Sequence, residues 1–208
     1  MTPNRRKRRN ASRAMRRKIA KAQKKRRLEG FQKLREDRVH PRDAQYFQDL
    51  ARAHGRPENY YFEKWKHITI VKYDQEGHIT EMRTRGSELK HLPPSIGYLT
   101  SLKALNLSGN QLESLPEEIG NLENLEDLRL IDNKLNALPE SVGRLKKLRE
   151  LRCDKNRLDS LPASIGQLEN LEELHCGQNR VEVIPPTLGN LTNLRAFSCW
   201  DNQVRSLP

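Results

Sequence analysis

The chain has 208 residues, with 39 Lys and Arg against 27 Asp and Glu, a net charge of +12 and only 35% hydrophobic residues. No apolar run approaches the roughly 20 residues of a membrane-spanning helix, and the first 30 residues lack the apolar core of a secretory signal peptide. These features exclude a helical membrane protein and predict an intracellular chain, in nucleus, nucleolus or cytoplasm, with an organelle as the alternative; the sequons at Asn10, Asn106 and Asn190 then read as chance matches.

Residues 1–40 form a basic arm. They hold 17 Lys and Arg against Glu29, Glu36 and Asp37, a net of +14, so the rest of the chain is close to neutral at −2. Like charges at this density oppose compaction, which predicts an arm that is disordered, or ordered only by a partner. Ala11, Ala14, Ala20 and Ala22 keep helix propensity high, so neutralisation by phosphates would favour a helix over residues 12–27. The candidate nucleic-acid contacts are Arg5, Arg6, Lys7, Arg8, Arg9, Arg13, Arg16, Arg17, Lys18, Lys21, Lys24, Lys25, Arg26 and Arg27, and the expected partner is RNA or a ribonucleoprotein particle. Three other readings stay open. The clusters at residues 5–9 and 24–27 are spaced like a bipartite nuclear-import signal, an organellar transit peptide is also Arg-rich and acid-poor, and an acidic protein or membrane surface would also attract the charge.

Residues 41–78 read as a cap. A helix is predicted over Pro41 to His54, with Ala44, Phe47, Leu50, Ala51 and His54 on one face, Gly55 beyond it and Pro57 following. Ile68, Ile70 and Tyr73 then lead through Asp74 and Gly77 into Ile79 and Met82, a hairpin whose second strand begins the repetitive part of the chain. Seven of the eleven aromatics lie here, at Tyr46, Phe47, Tyr60, Tyr61, Phe62, Trp65 and Tyr73. Such a cluster either stacks bases or plugs the end of a solenoid, whose terminal repeats need capping.

From Ile79 to Pro208 one 23-residue unit recurs six times, the last incomplete, with copies starting at Ile79, Leu102, Leu125, Leu148, Leu171 and Leu194. The unit reads L-x-x-L-x-L-x-x-N-x-L-x-x-L-P-x-x-I-G-x-L; in the worn first copy Met82, Thr84, Ser87, Leu89 and Leu92 hold the matching places. One unit cannot bury its own leucines, so stacked copies must share a core. Asn110, Asn133, Asn156, Asn179 and Asn202 stand where each strand ends, placed to satisfy backbone groups that would be buried unpaired. Pro116, Pro139, Pro162 and Pro185 fix the backbone where the chain turns to its return side.

This pattern resembles the leucine-rich repeat family, and its L-P-x-x-I-G-x-L half is similar to the intracellular Ras-group branch and its plant relatives. The stretch from Trp65 to Ile79 is similar to the cap before plant-type repeats, without the paired cysteines of extracellular caps. The resemblance implies an α/β solenoid, a horseshoe segment whose concave parallel sheet binds a protein, with no enzymatic activity in the repeats.

Alternation of faces along each strand assigns the outward positions. One column is Arg83, Asn106, Arg129, Arg152, His175 and Ser198; its flanks are Glu81, Ala104, Asp127, Glu150, Glu173 and Ala196, and Arg85, Ser108, Ile131, Asp154, Gly177 and Trp200. The candidate protein-binding residues are Arg83, Arg129, Ile131, Arg152, Asp154, His175 and Trp200, since tryptophan and arginine are common interface anchors; the competing reading is a solvated sheet with cross-strand ion pairs. A strip of six strands offers on the order of 300 Å², against about 800 Å² per partner in a standard interface, so flanking loops, the cap or the arm must contribute. The unit in progress at Pro208 leaves two expectations, a truncated chain or a partner covering that end.

Nothing in the sequence assembles an active site. Cys153, Cys176 and Cys199 fall 23 apart at the inward position of Leu107 and Leu130; strands about 4.8 Å apart do not exclude a disulfide by distance, and the expectation from inward thiols without a signal peptide is a column of reduced core residues. A zinc site would need close ligand pairs, and His175 beside Cys176 points to the opposite face of its strand; His40, His54, His67, His78 and His91 look scattered, without a nucleophile or carboxylate pattern, and no phosphate-binding loop appears. The expectation is a scaffold with no cofactor, metal or small-molecule substrate. A signalling adaptor with the arm as import signal is the alternative, and an enzyme would need a catalytic domain beyond Pro208.

Overall fold

The structure is a computed structural model that describes residues 39–56 and 70–205. The expectations for the arm at 1–38, for Tyr60, Tyr61, Phe62, Trp65 and Ile68, and for Ser206 to Pro208 lie outside the described residues.

Helix α1 spans Pro41–Ala53, one residue shorter than expected, with His54 as its C-cap. Pro41 suits the first turn, where its missing N–H has no intrahelical partner anyway. The buried face is wider than the sequence pattern predicted: Asp43 and Tyr46 join Ala44, Phe47, Leu50 and Ala51. The sheet then runs in chain order: β1 (Ile70–Tyr73), β2 (Ile79–Arg83), β3 (Ala104–Asn106), β4 (Asp127–Arg129), β5 (Glu150–Arg152), β6 (Glu173–His175) and β7 (Ala196–Ser198). β1 and β2 form the antiparallel hairpin, and β2 is also the first repeat strand, pairing parallel with β3. All later pairs are parallel at a constant shift of one repeat, with Leu105 opposite Leu128, Leu128 opposite Leu151 and Leu151 opposite Leu174.

Each return segment is a single 3-10 element, over Pro94–Tyr98, Glu117–Asn121, Glu140–Arg144, Ala163–Gln167 and Pro186–Asn190. An extended proline precedes each one, as at Pro116 with φ −71° and ψ 152°. These segments stack closely: a Cβ on Gly143 would sit 2.6 Å from the Ser164 carbonyl oxygen of the next repeat, so glycine is required by the approach of a neighbour. Between sheet and return segments lies one continuous core from Tyr46 and Phe47 to Ile184 and Leu191.

The asparagine ladder pairs backbone amides and carbonyls of the loops with side-chain carboxamides. Asn133 accepts from the Leu112 amide at 3.1 Å and donates to the carbonyls of Leu107 and Leu130, both at 3.0 Å. Asn110, Asn156, Asn179 and Asn202 repeat the arrangement, each reaching back one repeat.

Candidate protein-binding face

Three-residue strands leave two outward side chains each, and these form the face. The inner leucine, such as Leu128, is buried while Asp127 and Arg129 on either side are half-buried. The structure joins these outward residues into a charge ladder across the strands. Arg129 Nε donates to Asp127 Oδ1 at 3.0 Å, and its Nη2 reaches Glu150 Oε2 on the next strand at 3.2 Å. Glu150 also pairs with Arg152, whose Nη2 lies 3.2 Å from Glu173 Oε2, and Glu173 in turn meets His175 Nε2 at 3.3 Å. Hydrogen bonding to Asp127, then the charges of Asp127 and Glu150, raises the Arg129 pKa above its ordinary value. The two arginines sit on neighbouring strands as a direct pair, and Glu150 between them offsets the repulsion. At the amino-terminal end Glu81 takes both Lys72, at 2.8 Å, and Arg83, at 3.9 Å.

The third column departs from the expected outward row. Ser108 and Gly177 are buried, Ile131 and Asp154 are half-buried, and Arg85 and Trp200 are exposed. Asp154 Oδ1 accepts from the Gly177 amide at 2.9 Å, so this carboxylate braces a loop backbone. Trp200 is 57% exposed, yet its indole lies against Gly177, where a Cβ would be 2.7 Å from Cδ1. Arg83, Arg129, Arg152 and His175 thus share one column, with Ile131, Asp154 and Trp200 along its edge; the basic-arm candidates lie outside the described residues.

The cysteines face inward. Cys153 and Cys176 are buried and Cys199 is half-buried, all three as free thiols. Burial pushes the Cys176 thiol up to about 12 and that of Cys153 well above its ordinary range, which removes the thiolate that nucleophilic chemistry needs.

The described histidines, in contrast, are not scattered; His67 lies outside the described residues. His54 Nε2 receives the Lys90 amide at 3.2 Å while its Nδ1 contacts the Leu50 carbonyl at 2.9 Å, clipping α1 to the first repeat. His40 and His78 lie with ring centroids 3.9 Å apart and planes tilted by 32°, beside the buried Asp43. Sequence reasoning missed both because the partners are distant along the chain; the hairpin brings His78 back to the start of α1.

A search of curated proteins finds no match. Among solved structures, the leucine-rich repeat ectodomain of the receptor kinase SOBIR1 from Arabidopsis thaliana is 26% identical, with a TM-score of 0.64 over 81% of this chain and 96% of that one. A TDR receptor is 28% identical, with a TM-score of 0.53 over 55% of this chain and 21% of that one. A leucine-rich repeat protein of Leptospira interrogans is 32% identical with a TM-score of 0.45, covering 58% of this chain, which spans only 37% of that protein's length. The sequence pattern of the leucine-rich repeat region matches residues 79–206. With that match over the same residues that build the stacked sheet, the chain belongs to the leucine-rich repeat family.

Proposed function

We propose that this protein is a non-enzymatic, intracellular scaffold whose strand face docks a protein partner and whose basic arm ties it to RNA or a ribonucleoprotein particle. The observation that carries the reading is the face itself, a preorganised ladder of half-buried ion pairs edged by the exposed Trp200. Ladder side chains already held by neighbours lose little conformational entropy on binding, and an aromatic anchor beside arginines has the composition of an interface centre. Free, inward cysteines suit a reducing compartment. The L-P-x-x-I-G-x-L signature supports the Ras-group branch within the family, and the net +14 of residues 1–40 supports a phosphate-bearing partner.

Two measurements test the two halves. Wild-type protein should recover a partner from native extract that the Arg129→Ala/Arg152→Ala/Trp200→Ala variant loses; equal recovery by both would remove the strand face from the reading. RNA affinity should fall with salt at a slope near −6 if about eight cations meet phosphates on single strands, and deletion of residues 1–38 should abolish it. Undiminished affinity in the deleted protein would refute the arm's role.

A further inference from the structure

The junction of cap helix and hairpin holds a cluster that the scaffold reading does not use. His40 is the N-cap of α1 and Asp43 lies in its first turn, while His78 sits between the β1 and β2 strands. One ligand atom from each of the three side chains lies within 4.8 Å of the other two. The main chain holds His78 from both sides: the His40 amide donates to the Gly77 carbonyl at 2.8 Å, and the Ile79 amide donates to Asp43 Oδ2 at 2.7 Å. Asp43 is only 1% exposed. Its second oxygen faces His78 Nδ1 at 3.7 Å, within ion-pair distance of a charged imidazole but longer than a hydrogen bond.

A helix cap accounts for part of this arrangement and no more. His40 Nδ1 accepts weakly from the Arg42 amide at 3.3 Å, which explains a polar residue at position 40. It does not explain a second imidazole tilted over the first, nor a buried carboxylate whose free oxygen is turned toward that pair at 3.7 Å from the nearer ring nitrogen, where a buried charge calls for a charged partner or a metal.

We propose that His40, Asp43 and His78 form a binding site for a divalent transition ion of the zinc class, two imidazole nitrogens and one carboxylate oxygen leaving a fourth position to water. Zinc bound tetrahedrally at 2.0–2.2 Å sets its ligand atoms about 3.4 Å apart, so the present separations close by roughly 1.5 Å at most. Rotation of the half-buried histidine rings supplies that movement while the backbone bonds at Gly77 and Ile79 stay in place. The Ile79 amide on Asp43 Oδ2 plays the orienting part that outer hydrogen bonds play around metal ligands. Calcium and magnesium are disfavoured, since hard cations prefer all-oxygen sites. The ligands come from α1 and from the hairpin turn, so the ion would fasten the cap to the first repeat strand.

The test uses the full reduced chain, stripped with chelator and then titrated with Zn²⁺ against a chromophoric indicator. One equivalent should bind, and the melting temperature should rise with zinc concentration. His40→Ala and His78→Ala should each weaken binding at least tenfold and abolish the thermal shift, with far-ultraviolet circular dichroism unchanged. In the wild type, NMR should show zinc perturbing the imidazole signals of His40 and His78 alone, a readout that stands even if a variant misfolds. Equal zinc affinity in wild type and the His40→Ala/His78→Ala double variant, or zinc signals confined to other histidines or to cysteines, would overturn the site.

Discussion

The indole of Trp200 fills the space that a side chain at position 177, one repeat earlier, would occupy. Gly177 is therefore a seat for the tryptophan. Gly177→Ala should displace the ring into solvent, and because Trp200 is already 57% exposed the stability cost should stay below about 1 kcal/mol. In a Trp65→Phe background the emission of Trp200 should shift to the red; an unchanged spectrum would contradict the seating.

Glycine in the return segments should matter only where a neighbour presses on it. Gly143→Ala would drive a methyl into Ser164 of the next repeat, with Cβ 2.6 Å from Cβ, and should cost about 1 to 3 kcal/mol as overpacking does. At Gly189 nothing among the described residues lies within 4 Å of an added Cβ, so in this 208-residue chain Gly189→Ala should be within about 0.5 kcal/mol of wild type. Chemical denaturation of the two variants side by side checks the contrast.

Removing a rung of the asparagine ladder should expose the cost of an unpaired buried amide. Asn133→Ala strips the acceptor from the Leu112 N–H and the donor from the Leu107 and Leu130 carbonyls, a loss of about 1 to 3 kcal/mol. Asn133→Asp keeps the acceptor while losing both donations, and it should be no better. Denaturation midpoints measure both.

Much of this architecture was legible in the chain because the repeat states each contact several times over. The spacing of Leu105, Leu128 and Leu151 dictates the strand register, and Asn110 and its successors announce the ladder. The paired-charge reading of the outward column was open from sequence, yet the bridging role of Glu150 needed side-chain geometry. Singular contacts were illegible. The bond from Ile79 to Asp43 spans 36 residues without any repeat to advertise it, and Asp43 reads in sequence as an ordinary first-turn acid. The flank column was legible only in part: alternation holds only within a strand, and Ser108 and Gly177, past the ends of β3 and β6, are buried while Arg85 and Trp200 are exposed.

The thiols should separate by depth. Burial pushes the Cys176 thiol up to about 12 and that of Cys153 well above its ordinary range, so at pH 8 neither supplies thiolate, whereas the half-buried Cys199 is accessible. Iodoacetamide on the native protein should label Cys199 alone, with all three labelled in denaturant. Peptide mass mapping checks this, and rapid native labelling of Cys176 would contradict its place in the core.

Each carboxamide of the ladder grips its own repeat and the one before it, and no other. Damage therefore has a short reach along the solenoid. Substitutions in adjacent repeats, such as Asn133→Ala with Asn156→Ala, share the Leu130 carbonyl and should show a coupling energy in a double-mutant cycle, whereas Asn110→Ala with Asn179→Ala should simply add. The molecule then behaves as a row of nearest-neighbour units, in which a change to the binding surface of one repeat leaves the stability of distant repeats alone.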